Sequence, residues 1–379
     1  MEFTLVCDIM MDLEGSIRPA MYLANDLVAR GYEVSMMSPI MSPDVERCLR
    51  MRGIKPLNLQ VKHVTRNSSL SLLWFETWIH EALLKLNSRR VSDDSCIPIN
   101  FSQVIVTPSL IWYLQGPLSV ALRDMGKELA TTYRVVYNIL RPVIEYADER
   151  LVKEMGKGSA FVVANSKFCA SMYSKFGVKV QDIIYPPIDC EIFRSSTSSP
   201  SSSYVLTYFG KETRFSVIKT LADVGVKIKA FGSKMPQINR GLVGHPNIDF
   251  LGRISTSELV EAYSNALFTL FPFTHEPFGY VPLESMACGT PVLTYNMQGP
   301  RECVIHEHTG WLVNTDEEFV HKALELWKSR YPSCVRLNCV KTASKFDRRL
   351  YVEKWFNALA NFVEEKTICP NGFLKARVV

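Results

Sequence analysis

One stretch between residues 266 and 294 constrains the fold more than any other part of the chain. Residues 266–272 form a short apolar run, which is typical of a strand buried in a parallel sheet. A helix is predicted over residues 280–288, because Gly289 and Pro291 follow it in the order that usually ends a helix. Residues 291–294 begin the next strand. This alternation predicts an α/β fold with a parallel sheet.

Two glutamates lie around the turn between that strand and that helix. Glu276 is predicted in the loop at the carboxyl end of the strand, and Glu284 just over one turn into the helix. In an open parallel sheet, ligands bind outside these strand ends. Gly279 lets the backbone approach a ligand, and the free N–H groups of residues 278–281 favour an anion. The pattern therefore favours a ligand with phosphate and hydroxyl groups, such as a nucleotide sugar.

The alternative interpretation is an ordinary loop carboxylate at Glu276 and a solvated helix residue at Glu284. The surrounding Pro-Phe-Gly and Ala-Cys-Gly-Thr-Pro-Val favour the functional interpretation, because the run from Glu276 to Val292 resembles the E-x7-E segment of retaining GT-B glycosyltransferases of family 4. The resemblance continues through residues 299–302 and 309–313. It is strong over residues 203–313, moderate over the N-terminal half and weak between residues 56 and 97. It implies two Rossmann-like domains facing a cleft, with a C-terminal helix crossing back to the N-terminal domain.

The resemblance also implies roles for individual residues. Glu276 would hold the sugar hydroxyls, and Glu284 would hold the ribose hydroxyls. Lys211 stands where relatives carry arginine, so we expect it to bind the diphosphate first, with Arg214 second and Lys219 as a further candidate. A solvated charge cluster is the alternative for these cations. The other predicted donor-binding residues are Gly15, Ser16, Gly232, Ser233, Lys234, Arg253, Ile254, Phe278, Gly279, Tyr280 and Val281.

The N-terminal half opens with a βαβ pattern. Strands are predicted over residues 3–9 and 33–37, around a helix over residues 17–29 with Ser16 as its N-cap. The turn lacks the G-x-G-x-x-G fingerprint of dinucleotide binding. The resemblance implies that Gly15 and Ser16 face the donor diphosphate and the acceptor, with Arg18 on the acceptor side. The alternative is a tight turn with no further role.

Gln115 is the other predicted acceptor-side residue. Many relatives have a histidine near this position, whereas glutamine can exchange hydrogen bonds but cannot carry a charge. This disfavours an essential histidine base in the loop, and with it an inverting mechanism.

Serines dominate residues 195–203, which predicts a linker between an acceptor-binding domain, residues 1–194, and a nucleotide-sugar-binding domain, residues 204–346. Residues 347–379 are expected to contain the helix, over residues 348–366, that packs back on the N-terminal domain. Further strands are predicted over residues 103–106, 134–140, 160–164, 182–185, 204–209, 227–231 and 248–252.

Composition narrows the function and the compartment. The chain has 379 residues, 47% of them hydrophobic and 21% charged, which is ordinary for a globular protein of two domains. A net charge of +5 is too mild for a nucleic-acid binder. Ten cysteines without a C-x-x-C pair, and no N-terminal signal, indicate a reducing compartment, so we expect a cytoplasmic protein. There is no D-x-D pair, so neither a metal nor another cofactor is implied.

Residues 46–84 combine basic and aromatic side chains. Six basic residues lie between positions 46 and 66 against a single glutamate, and a helix with Trp74 and Trp78 is predicted over residues 72–84. One hypothesis is that these segments contact an anionic membrane surface and place a lipid-linked acceptor there. The alternative, which we favour, is a core helix beside a solvated basic loop.

The sequence thus predicts retaining transfer of a sugar from a UDP- or GDP-hexose to a glycan, lipid-linked or small-molecule acceptor. A GT-B nucleotide-sugar epimerase and a catalytically inactive partner subunit remain alternatives. A nicotinamide oxidoreductase would share the fold, but the missing glycine fingerprint disfavours it.

Overall fold

The computed structural model describes residues 2–13, 15–65, 70–85, 96–126, 131–197, 200–233 and 240–368. The chain divides into two compact units. One consists of Met1–Leu122, Val136–Tyr185 and Tyr351–Val379, and the other of Arg123–Val135 and Pro186–Leu350. The serine-rich residues predicted as a linker fall in the second unit, after a division at Tyr185 rather than at residue 194.

The first unit is built on a parallel sheet of seven strands in the order β3-β2-β1-β4-β5-β6-β7. Its strands are β1 (Glu2–Val6), β2 (Glu33–Ser38), β3 (Lys55–Asn58), β4 (Ile97–Asn100), β5 (Ser109–Leu114), β6 (Ser159–Ala164) and β7 (Asp182–Ile183). The chain moves outward from β1 on one side and then returns to its other side with β4, so the strand order reverses between these two strands. Such a reversal is where α/β sheets bind ligands.

The structure describes six helices in this part of the chain: α1 (Arg18–Ala29), α2 (Pro43–Met51), α3 (Leu70–Ile79), α4 (Leu118–Met125), α5 (Thr131–Gly158) and α6 (Lys167–Ser174). A π-helical turn, His80–Leu84, continues α3, and a 3-10 turn, Gly15–Ile17, precedes α1. The N-cap of α1 is Ile17, without a side-chain hydrogen bond, so the prediction of Ser16 as N-cap was wrong.

Two strand predictions in this half were also wrong. Residues 134–140 lie in α5; their valines and tyrosine favour a strand, but the helix is fixed further along, where Ile144, Leu151 and Met155 are buried at helical spacing. Residues 103–106 are not a strand, because the Gln103 N–H donates to the Asp8 carboxylate instead of a neighbouring strand.

The second unit contains a parallel sheet of six strands in the order β10-β9-β8-β11-β12-β13. They are β8 (Val205–Phe209), β9 (Ile228–Gly232), β10 (Ile248–Gly252), β11 (Thr269–Phe271), β12 (Val292–Tyr295) and β13 (Gly310–Val313). Here the order reverses between β8 and β11. The strands predicted at residues 204–209, 227–231, 248–252 and 266–272 are therefore confirmed within one to three residues.

The helices of the second half are α7 (Phe215–Asp223), α8 (Arg240–Val243), α9 (Thr256–Asn265), α10 (Tyr280–Ala287), α11 (Pro300–Cys303), α12 (Asp316–Ser329), α13 (Cys334–Ala343) and α14 (Arg348–Ile368). Helix α10 ends as predicted, with Gly289 in the left-handed region at φ 77°. From Tyr351 onward α14 belongs to the first unit, where its buried residues share a core with β1, β2 and α1.

Nine cysteines in the described ranges are free thiols. Among the helices that the structure describes, none combines the length and the apolar character needed to cross a membrane.

Candidate donor site in the second unit

The reversal of strand order between β8 and β11 brings two predicted segments together. The turn after β8 carries Lys211 and Arg214, and the loop after β11 carries Glu276. Main-chain hydrogen bonds hold the turn after β8 against the loop after β11. The Arg214 N–H donates to the Pro272 carbonyl at 3.0 Å, and the Thr274 N–H donates to the Glu212 carbonyl at 2.8 Å.

The Thr213 side chain closes the turn from inside. Its hydroxyl donates to the Tyr208 carbonyl at 2.9 Å and accepts from the Gly210 N–H at 3.0 Å. Gly210 has no room for a side chain, since a Cβ there would lie 2.1 Å from the Tyr208 ring. The residues after β8 are thus held in one arrangement at the carboxyl edge of the sheet.

Glu276 is half-buried, and its carboxylate lies at the N-terminus of α10. Oε1 accepts a hydrogen bond from the Phe278 N–H at 3.3 Å, and the Gly279 N–H also donates to this carboxylate. Burial is the largest influence on its pKa, followed by the negative charge of Glu212. Together, burial and the charge of Glu212 raise the pKa of Glu276 to about 8, although Lys211 and the two N–H groups lower it.

The backbone of Glu276 is clamped by the loop before α11. The Glu276 N–H donates to the Gln298 side-chain oxygen at 2.6 Å, and the Glu276 carbonyl accepts from the Gly299 N–H at 3.1 Å. A Cβ on Gly299 would lie only 2.4 Å from the Phe278 Cα. Gly299 is therefore required for the close approach of these two loops.

Glu284 lies on α10 and is only 6% exposed, so it is not the solvated helix residue of the alternative interpretation. Its Oε2 accepts from the Tyr263 hydroxyl at 3.3 Å. Burial is the main cause that raises the pKa of the Tyr208 hydroxyl. The carboxylates of Glu212, Glu276 and Glu284 add to it, and the positive charge of Arg253 opposes it. These charged groups therefore all act electrostatically on one hydroxyl at the end of β8.

The predicted cations differ in their surroundings. Lys211 is exposed, and its charge acts on the Glu276 carboxylate. The Arg214 guanidinium instead pairs with Asp316 at 2.8 Å and lies 4.9 Å from the centre of the Tyr295 ring. Lys219 pairs with Asp223 on its own helix, at 2.7 Å. Only Lys211 therefore combines exposure with an electrostatic effect on Glu276.

The remaining predicted donor residues follow the neighbouring strands. Gly232 ends β9 at φ 127°, and a Cβ there would lie 2.4 Å from the Phe209 carbonyl oxygen, so the glycine is needed where β8 and β9 end side by side. Ser233 and Ile254 are half-buried, while Arg253 is exposed. Tyr280 and Val281 form the first turn of α10. Lys234 lies outside the described residues.

Three residues of this site were missed in the sequence. Glu212 and Tyr208 could have been suspected, because they flank Lys211 on a strand end that already carried a predicted cation. Gln298 has no local signal. Its backbone adopts φ 56°, and its side chain bonds to a loop 22 residues earlier in the chain.

In the first unit, Gly15 at φ 59° and Ser16 are exposed, and Arg18 begins α1. Gln115 follows β5; its side chain donates to the Phe101 carbonyl at 3.0 Å, and its N–H donates to the Gln103 side chain at 3.0 Å. Gln115 is therefore already engaged by the residues after β4.

The aromatic side chains of the proposed membrane segment pack inward. Trp78 is buried, and its indole N–H donates to Asp148 at 3.2 Å. Trp74 packs against the same core. These contacts agree with the core-helix interpretation. Leu72 and Leu83 on the same stretch are exposed.

No group of three or more His, Cys, Asp or Glu side chains in the described ranges is arranged to hold a metal ion. The chemistry that these residues offer is therefore a lysine, three carboxylates and backbone N–H groups at one sheet edge. This set can bind an anion next to a ligand with several hydroxyl groups.

Comparisons with known proteins relate this chain to glycosyltransferases. Residues 242–345 match the family described as glycosyl transferases group 1. The mouse (Mus musculus) alpha-1,3/1,6-mannosyltransferase ALG2 is 33% identical over 84 residues, which are 20% of each chain. A GDP-mannose-dependent alpha-(1-6)-phosphatidylinositol dimannoside mannosyltransferase of Mycobacterium tuberculosis is 30% identical over 151 residues, 38% of this chain and 37% of that protein. The chain thus aligns with only 20 and 37% of the length of these two curated relatives.

The crystal structure of Anabaena Alr3699/HepE in complex with UDP superimposes with a TM-score of 0.65 at 17% identity. The match covers 95% of this chain and 100% of that one. The two parallel sheets with their helices are therefore a GT-B fold, as predicted from the sequence.

Proposed function

We propose that this chain, whose residues 242–345 match the family described as glycosyl transferases group 1, transfers a sugar from a nucleotide-diphosphate sugar to an acceptor, with retention of the anomeric configuration. The donor is a UDP- or GDP-hexose. UDP in the Anabaena structure and GDP-mannose in the name of the mycobacterial relative support these two bases. The acceptor is a glycan, a lipid-linked sugar or a small molecule.

One observation carries the proposal: Lys211, Glu276 and the N-terminus of α10 lie together where the strand order of the second sheet reverses. As the bond from the sugar C1 to the diphosphate breaks, negative charge grows on the leaving group. In this proposal, Lys211 and the positive end of the α10 dipole stabilise that charge and lower the barrier.

The two glutamates position the donor in this proposal. Glu276 holds hydroxyls of the transferred sugar, and Glu284 accepts hydrogen bonds from the ribose. Arg214 supports the site through its ion pair with Asp316 and its contact with Tyr295, because its guanidinium is committed to these groups. Lys219, paired with Asp223, is a weaker candidate for the diphosphate.

The acceptor side of the proposal rests on Gly15, Ser16, Arg18 and Gln115 of the first unit. A cytoplasmic location, peripheral on a membrane where the acceptor is lipid-linked, belongs to the same proposal. Exposed apolar side chains of segment 46–84, among them Leu72 and Leu83, would contact a membrane surface, since Trp78 is committed to Asp148. No metal takes part in the proposed transfer, because Lys211 and the backbone N–H groups supply the positive charge.

Isothermal titration with UDP, GDP and ADP tests the donor site directly. We expect one of the first two to bind; absence of binding by all three would favour the inactive partner subunit. Mass spectrometry of the corresponding nucleotide sugars, with and without a glycan acceptor mixture, then tests transfer. Conversion of the donor into its epimer without any acceptor would instead favour the epimerase.

A further inference from the structure

Glu212 has a buried carboxylate oxygen whose hydrogen-bonding capacity is unused. Within the described part of the chain, Oε2 of Glu212 is enclosed and accepts no hydrogen bond. No cationic side chain described by the structure forms an ion pair with it. Leaving such an oxygen without a donor costs free energy, and the cost is larger for a charged group than for a neutral one. A side chain kept in this state calls for a functional explanation.

Two hydrogen bonds hold the backbone of Glu212 beside the loop that carries Glu276. The Glu212 carbonyl accepts from both the N–H and the hydroxyl of Thr274, at 2.8 and 3.1 Å. Oε2 lies 2.8 Å from the place where a Cβ on Gly210 would stand, so the carboxylate folds back over the end of β8. Gly210 makes that position possible.

Glu212 and Glu276 act on the same small region. The charge of Glu212 is one cause, after burial, of the raised pKa of Glu276, and both carboxylates act on the Tyr208 hydroxyl. Because the Glu212 carbonyl bonds to Thr274, two residues before Glu276, Glu212 lies beside the loop that holds the sugar in the proposed function.

We propose that Glu212 determines the specificity for the transferred sugar: its carboxylate turns from its enclosed position toward the donor and accepts a hydrogen bond from a hydroxyl beside the one held by Glu276. This inference rests on the proposed function. A pair of acidic side chains selects in two ways. It rewards neutral sugars with adjacent hydroxyl donors, and the charge of the Glu212 carboxylate repels a sugar that carries its own carboxylate, such as a uronic acid. The donor is therefore a neutral hexose.

The test compares Glu212→Gln with the wild type by isothermal titration. If uridine is the base, the probes are UDP, UDP-glucose and UDP-glucuronate; if guanosine, they are GDP, GDP-mannose and GDP-mannuronate. Glutamine keeps the size of the side chain and removes its charge. We expect the nucleotide alone to bind equally well, and the neutral nucleotide sugar to bind about tenfold or more weakly, as for losing a hydrogen bond to a charged group. The ratio of the affinity for the neutral nucleotide sugar to the affinity for the uronate should be smaller in the variant than in the wild type.

The exposed Glu307→Gln in the same unit is the matched control, and should leave all three affinities unchanged. A purely structural role of Glu212 would instead lower the melting temperature and weaken the nucleotide and its sugar by the same factor, which overturns the inference. An unchanged ratio of the affinities for neutral sugar and uronate overturns it as well. If the wild type binds the nucleotide, either result leaves the proposed function standing; if it binds no nucleotide at all, both proposals fail.

Discussion

At the scale of a single residue, Glu276 shows how a carboxylate responds to its surroundings. Burial and the neighbouring Glu212 raise its pKa from the ordinary 4.5 to about 8. In the unfolded chain these influences are absent. The folded protein therefore binds a proton that the unfolded chain has released, over the interval between the two pKa values.

This difference predicts a pH-dependent stability. The contribution of protonated Glu276 is fully present below about pH 4.5 and is lost as the pH rises through about 8, because the unfolded chain then gives up its proton more readily. Relative to Glu276→Gln, whose side chain does not titrate, the wild type should lose free energy of unfolding across this window. Melting temperatures of both proteins between pH 5 and pH 8.5 measure it. Parallel profiles would show that Glu276 titrates normally; Glu307→Gln, at an exposed position, is the control.

Lys211 is the residue on which the proposed chemistry depends most. Its ammonium is exposed and acts on Glu276, whereas Arg214 and Lys219 are paired with aspartates. We expect Lys211→Ala to lower the rate of sugar transfer on the order of 10²-fold or more, as for losing one preorganised contact with the leaving group. Initial rates at saturating donor give this number, with Lys341→Ala, an exposed lysine of α13, as the control. If Lys211→Ala transfers sugar at the wild-type rate, Arg214 becomes the candidate for binding the diphosphate.

At the scale of elements, the loop before α11 fixes the loop that carries Glu276. Gly299 makes this possible, because its missing side chain lets the Phe278 Cα approach within 2.4 Å of the Cβ position. Gly299 has an ordinary helical φ of −61°, so a substitution there introduces crowding without dihedral strain.

Gly299→Ala should therefore displace residues 276–278. We expect a loss of about 1–3 kcal/mol in the free energy of unfolding, as for overpacking a close-packed site, together with weaker nucleotide binding. Denaturant unfolding and isothermal titration measure the two effects. Gly158→Ala is the matched control, since a Cβ there has its nearest neighbour at 3.7 Å. If the two variants are equally stable, the loop before α11 and residues 276–278 can move apart without a loss of free energy of unfolding.

Local patterns were sufficient to predict the elements around the donor site. The apolar run before Glu276 and the Gly289–Pro291 stop placed β11 and α10 within three residues, because burial and helix termination are both encoded locally. The clamp by Gln298 was not predictable, since it depends on contacts between distant loops. Helix α5 was missed for a related reason: its first turns are rich in strand-favouring residues, while the buried residues that fix it lie further along.

At the scale of the whole chain, the last helix completes the core of the first unit. Tyr351, Val352, Trp355, Ala358 and Leu359 of α14 share that core with the strands nearest the N-terminus. The Tyr351 hydroxyl donates to the Pro19 carbonyl at 2.9 Å, across 332 positions of sequence. The first unit can therefore acquire this core only after the chain has been made as far as Leu359.

Trp355 is the largest side chain in this contact; it is fully buried, with its ring 5.3 Å from Phe101 and 5.7 Å from Tyr113 between centroids. Trp355→Ala should lower the free energy of unfolding of the first unit by about 3–5 kcal/mol, because it removes a large buried aromatic and leaves a cavity. Trp355→Phe should cost less, since it keeps an aromatic ring and removes an indole N–H that has no acceptor in the described part of the chain. Denaturant unfolding followed by circular dichroism compares the two variants, and Lys354→Ala, at an exposed position of the same helix, is the control.

Nucleotide binding, which the second unit provides in the proposed function, should survive all three substitutions. If Trp355→Ala unfolds like the control, α14 does not stabilise the first unit, whatever its contacts.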